Sequence, residues 1–150
     1  MKHVSVFCEK GIKADKRSIS RMIEELSDQV GMKLMNIDLN LVNSETILDV
    51  NRRFLGHDYK TDIITFDYSD EKNTLDGEIF ISLPEALENS KKYRISVDNE
   101  VSRLVIHGIL HLSGFDDKTP QKRKVMKRRE DELLRKFKKM NKGLIIKNDD

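Results

Sequence analysis

The stretch from His107 to Asp117, HGILHLSGFDD, brings two imidazoles and two carboxylates together within eleven residues. His107 and His111 are four apart, and on a helix that spacing stacks both side chains on one face, about 5–6 Å apart. Two imidazoles so placed can close on one small cation. Gly114 then ends the helix and turns the chain, so Asp117, six residues past His111, can return to the same point. Two histidines and a carboxylate leave a fourth position open, which is the arrangement of catalytic rather than structural zinc. These donors suit Zn²⁺, and Ni²⁺ or Fe²⁺ could occupy them as well. The plainer alternative is a pair of structural histidines. The turn glycine and the third donor weigh against it.

The spacing HxxxHxxGxxD approaches the zinc-protease pattern HExxHxxGxxH, but position 108 is Gly where a peptidase carries its general-base Glu. A metal site without a protein base is better matched to RNA, which brings its own nucleophile in the 2′-hydroxyl.

The elements that must position these residues follow from periodicity. Residues 3–8 read as a first strand. Ile19, Met22, Ile23, Leu26 and Val30 have helical spacing over Asp15–Val30, with Gly31 as terminator. Strict alternation over Asn36–Leu41 predicts a strand with one buried face. Ser44 can cap a helix to about Leu55, stopped at Gly56. Strands follow at Asp62–Tyr68 and Gly77–Leu83, separated by the polar loop SDEKNTLD. Pro84 opens a helix to about Tyr93. Ser96 caps a helix to Ser113, on which Glu100, Arg103, His107 and His111 share one sector opposite Val101, Val105, Ile109 and Leu112. Thr119 and Pro120 start the last helix, with Met126, Leu133, Phe137 and Met140 in one stripe. The order β-α-β-α-β-β-α-α-α predicts an α+β fold: a single domain over residues 1–142, with a small mixed four-stranded sheet covered by about five helices. The first βαβ unit reads as a parallel crossover, and residues 143–150 as a frayed tail.

Composition bounds the function class. A chain of 150 residues encloses one core. No run is long and apolar enough for a membrane span, and MKHVSVFCEK lacks the apolar centre of a secretory signal. Cys8 is the single cysteine, read as apolar filler in a strand. These features lead us to expect a cytoplasmic protein with no membrane partner. The net charge of +2 hides an asymmetry: residues 1–117 hold 15 Lys/Arg against 21 Asp/Glu, and residues 118–147 hold 13 against 3. A basic arm on an acidic body points to nucleic acid, with binding that weakens steeply with salt, or to a solvated lysine-rich face.

Three blocks, in order, resemble the YbeY-type endoribonucleases, bacterial factors for ribosomal RNA maturation and ribosome quality control. HGILHLSGFDD is similar to that family's HGxLHLxGyDH. NRRFLGHDYKTDIITF, residues 51–66, is similar to its N-x-x-[YF]-R-x-x-D-x-x-T-D-V-L-S-F. Gly77-Glu78-Ile79 resembles its G-D-I strand. The resemblance covers the chain to about residue 138. It implies an α+β fold and one Zn²⁺ per chain on three protein ligands. It also implies single-strand-specific cleavage of ribosomal RNA in maturation of the 16S 3′ end, with the ribosome and ribosome-associated proteins as partners and no small-molecule cofactor. His107 and His111 take the first two ligand positions. Asp117 stands where the family usually has a third His, and Asp116 competes with it. Leu55 stands where the family usually has Arg, so the phosphate contact passes to Arg52, Arg53, Lys60 or Arg103, each otherwise an ordinary surface charge. Thr61 and Asp62 match as supports of the site, Phe66 as core; His3 and His57 read as exposed and inert. Two other functions compete: a zinc peptidase or amidase, favoured by the ligand spacing, and a non-enzymatic ribosome assembly factor whose metal braces the fold.

Overall fold

Alternating side chains put Val4, Val6 and Cys8 on the same sheet face as Ile37, Leu39 and Leu41, because β1 (Val4–Cys8) and β3 (Lys33–Val42) run parallel with those residues in register. The computed structural model describes residues 3–138 and 143–148, and for 146–148 the backbone alone. Between the two strands, α1 (Lys16–Gln29) makes the expected crossover. Asp15 caps it, accepting from the Ser18 amide at 3.1 Å, and Ile19, Met22, Ile23 and Leu26 are fully buried. β5 (Thr74–Ser82) runs parallel to β3, and β4 (Ile63–Asp67) antiparallel to β5, giving the mixed sheet β1-β3-β5-β4.

Helix α4 (Val97–Leu112), capped by Ser96, lies across this sheet, with Val101, Leu104, Val105 and Ile109 buried in the core beside α1. Each such burial is worth about 1.5–3 kcal/mol. Those apolar contacts therefore set the rotation of α4, and the histidine face follows from them. The other sheet face is partly covered by α2 (Ser44–Val50), whose Ile47 and Val50 close a second cluster with Val42 and Ile64, Phe66 packing at its margin. Two further helices, α3 (Leu83–Tyr93) and α5 (Pro120–Lys136), flank α4. Met126, Leu133 and Phe137 are buried as their spacing predicts; Met140 lies outside the described residues.

Two glycines permit close approaches. At Gly77 a Cβ would fall inside the van der Waals envelope of the Phe66 carbonyl oxygen on β4. At Gly108 it would meet Ile79 Cδ1 at 3.0 Å and Ile63 Cδ1 at 3.3 Å, so α4 sits directly on β4 and β5. Gly77→Ala should force those two strands apart, costing about 1–3 kcal/mol. Thermal denaturation followed by circular dichroism should show a midpoint several degrees lower; an unchanged midpoint would contradict the close approach.

The structure departs from the sequence reading in several places. The helix begun at Ser44 changes to a wide π-type turn over Asn51–Leu55 before Gly56. Ser44 is not its cap: the Glu9 carboxylate, at the end of β1, accepts from the Asn43 amide at 2.8 Å and from the Thr46 hydroxyl. β5 begins three residues earlier than expected, because Thr74–Asp76 pair with β3 instead of remaining loop. Residues 143–148 do not fray. Leu144 is fully buried, the Asp98 carboxylate accepts from the Gly143 and Ile145 amides at 2.8 and 2.9 Å, and β6 (Ile145–Asn148) pairs antiparallel with β2 (Ile12–Ala14). Cys8 packs against the core, and burial pushes its thiol up from 9.0.

Candidate metal centre

With its apolar side fixed to the sheet, α4 presents His107 and His111 on the side nearest α5. Their rings stand edge to face, centroids 4.7 Å apart. The helix ends at Ser113, Gly114 turns the chain with φ 111°, and residues 115–117 fold back. One donor atom each from His107, His111 and Asp117 then lies within 4.8 Å of the other two, with His111 Nε2 3.8 Å from Asp117 Oδ2. A tetrahedral ion separates its donors by about 3.3 Å, so small side-chain rotations would close the trio. Asp116 is engaged elsewhere, accepting from the Lys118 amide at 3.0 Å and from Lys122 Nζ at 3.3 Å. Those contacts, the Lys118 amide first, hold its carboxyl below the ordinary value of 3.8.

The donor set fits a divalent cation. Burial, and next the neighbouring His107, lower the His111 pKa from 6.5, which favours the neutral imidazole a metal needs. His107 Nδ1 is 2.8 Å from Glu130 Oε2. That contact leaves Nε2 of His107 for the cation, since a carboxylate at one ring nitrogen fixes the tautomer and raises the basicity of the other. Among the described residues no fourth His, Cys, Asp or Glu joins the cluster.

Glu130 is the residue that sequence reasoning missed. It sits on the inward stripe of α5 with its side chain 3% exposed, so it faces the core where an apolar residue would be expected. Burial pushes its carboxyl up, but hydrogen bonds from His107 and Arg103 outweigh that, and the net shift is downward from 4.5. Arg103 donates through Nη1 to Glu130 at 3.0 Å, and through Nε and Nη2 to the fully buried Glu100, each at 2.8 Å. Asn89 extends the chain of contacts, donating to Glu100 at 2.9 Å and to Asp62 at 3.1 Å. Asp62 is thus linked to His107 through side chains alone. A carboxylate interrupting an apolar helical stripe was the available signal for Glu130.

The four basic residues considered for phosphate contact are differently placed. Arg103 has its guanidinium committed to two buried carboxylates, which together hold its pKa above the ordinary arginine value, the Glu100 hydrogen bond contributing most. Arg52 pairs with Asp58 and Arg53 with Asp49, both exposed on or beside the π-type turn. Lys60 is exposed, as is Leu55. A cavity of about 300 Å³ beside His107 is lined by Arg103, His107, Asp117, Met126 and Glu130, and by two α5 residues that the sequence did not single out, Arg123 and Lys127. His57 stacks on Tyr59, and His3 lies against the Met35 carbonyl.

Residue 108 faces the sheet, not the metal side, so the position of a peptidase's base is closed by packing.

The same span carries the likeness to known proteins. The profile of the family described as Endoribonuclease YbeY matches residues 7–138. Endoribonuclease YbeY of Parabacteroides distasonis is 41% identical over 119 residues, covering 79% of this chain and 83% of that protein. Its counterpart in Cytophaga hutchinsonii is 43% identical over 105 residues, covering 67% and 73%. In three dimensions the chain is similar to the solution structure of TM1509 from Thermotoga maritima, with a TM-score of 0.60 and 25% identity, covering 91% and 92% of the two chains. Because the matched span takes in both histidines, the turn beyond them and the carboxylate behind them, this chain is a member of the Endoribonuclease YbeY family.

Proposed function

We propose that this protein is a zinc-dependent endoribonuclease that cleaves single-stranded RNA, acting on ribosomal RNA during maturation and ribosome quality control in the cytoplasm, with the ribosome as its partner. The observation that carries the reading is the convergence of His107, His111 and Asp117, backed by the buried Glu130 carboxylate. The three donors would hold one Zn²⁺, and the relatives named Endoribonuclease YbeY supply the substrate class. No helix among the described residues is long and apolar enough to cross a membrane.

The chain's own groups have separable tasks. Glu130 orients the His107 ring, Arg103 balances the charge of Glu130, and neutral His111 keeps a lone pair free. When bound, the cation supplies Lewis acidity to a phosphoryl oxygen or to water. A cation held by three protein donors would keep a position for the substrate, and RNA would bring its own nucleophile in the 2′-hydroxyl.

The test is cleavage of a single-stranded RNA oligonucleotide and its duplex by protein of known metal content. Chelation should stop cleavage of the single strand, added Zn²⁺ should restore it, and the duplex should resist. Cleavage indifferent to chelator would end the proposal.

A further inference from the structure

We infer that Arg123 and Lys127 hold the RNA phosphate at the metal centre, the contact that Leu55 does not supply. This rests on the ribonuclease reading and assigns the binding of its substrate to two residues outside the three motif blocks.

A phosphodiester brought to the trio meets the Asp117 carboxylate, whose side chain is 48% exposed, so a positive group must face it. Arg103 is the poorer candidate, because three of its five N–H groups donate to the buried Glu100 and Glu130, and those two carboxylates more than balance its single charge. Arg52, Arg53 and Lys60 do not line the cavity beside His107. Arg123 and Lys127 do, and they are four apart on one face of α5, so their side chains reach the same space. Arg123 Nη1 donates to the Asp117 carbonyl oxygen at 3.1 Å, which anchors the guanidinium beside the third donor. Arginine has five N–H donors, so others remain for a phosphate, in the forked geometry that matches its oxygens. Lys127 contacts Asp131 at 2.8 Å, both side chains well exposed. Exposed pairs of that kind are weak, and a phosphate can displace one. The two cations therefore stand on the α5 side of the site, where a strand crossing the trio would run.

The experiment compares the full-length wild type with Arg123→Gln, Lys127→Gln, the double variant, Arg123→Lys, and Arg128→Gln as a charge-matched change away from the cavity. Binding of a single-stranded RNA oligonucleotide is measured with chelator present, over a range of salt. Metal content and cleavage are measured separately. The double variant should bind at least about tenfold more weakly. Its plot of log affinity against log salt should be shallower by about 0.7 for each phosphate that is no longer neutralised. Arg123→Lys should recover most of the affinity, Lys127→Gln should keep its metal and raise KM more than it lowers kcat, and Arg128→Gln should change little. Wild-type affinity and slope in the double variant would overturn the inference. So would a loss in Arg128→Gln equal to that in Arg123→Gln or Lys127→Gln, which would make the effect one of overall helix charge. If the wild type cleaves no RNA yet the double variant still loses affinity and slope, the ribonuclease reading fails and the phosphate contact stands.

Discussion

His111→Ala should purify without its equivalent of metal and should cleave single-stranded RNA no faster than chelated wild type, at least about 100-fold below the loaded enzyme. Loss of an orienting neighbour alone typically costs 10–100-fold in metal affinity or activity, and removal of a donor should cost more. On the rate scale, 100-fold is about 2.7 kcal/mol of barrier. His111 is the cleaner of the two histidines to remove, because its side chain is 28% exposed and it carries no buried partner comparable to Glu130. The metal-free variant should therefore melt close to the metal-free wild type. Asp117→His, which replaces one competent zinc ligand by another, should retain metal, whereas Asp117→Ala should lose it. Elemental analysis of each protein checks the binding, and the RNA assay checks the chemistry. Full activity in metal-free His111→Ala would separate the cleavage from this site altogether.

Glu130→Ala should produce the largest loss of stability. It leaves His107 without its orienting partner and Arg103 with one buried carboxylate instead of two. Breaking a buried pair by removing one member costs about 3–5 kcal/mol. For a chain of this size each kcal/mol moves the melting midpoint by about 2–4 °C, so the metal-free variant should melt roughly 10 °C lower. Glu130→Gln keeps the shape but turns an amide towards Arg103. It should fold better than the alanine variant and still bind Zn²⁺ about 10–100-fold more weakly, as read by competition with a chromogenic chelator. The sign of the pH effect follows from the depressed carboxyl. The folded pKa of Glu130 lies below 4.5, so its stabilisation is complete above the unfolded value and is lost as pH falls through the folded one. The stability gap between wild type and Glu130→Gln should therefore narrow in acid. A gap that widened below pH 4.5 would contradict the assignment.

The trio was legible because all three residues lie within eleven positions, where helical geometry and one glycine decide who meets whom. The parallel crossover was legible for a similar reason: periods of 3.6 and 2 are local, and Asn36–Leu41 alternates without a break. Glu130 was not, because only the packing of α5 on α4 brings it to a histidine 23 residues away. Glu9 is the same kind of case, capping α2 from the far end of β1, 34 residues before Asn43. The short strands β2 and β6 are too brief to show a period, and their pairing spans nearly the whole chain. Arg123 and Lys127 were hidden in another way. In a segment crowded with Lys and Arg, no spacing rule singles out the two that border a cavity.

The tight seat of α4 on the sheet also bears on what this scaffold can become. Where a helix rides so low on its sheet that a single methyl would crowd Ile79 and Ile63, a glutamate at position 108 has no room, and lifting the helix to admit it would carry the histidines with it. Conversion to a peptidase is thus closed to one-step divergence, and directed evolution of new hydrolytic chemistry would do better to search the rim formed by α5 and the 115–117 turn.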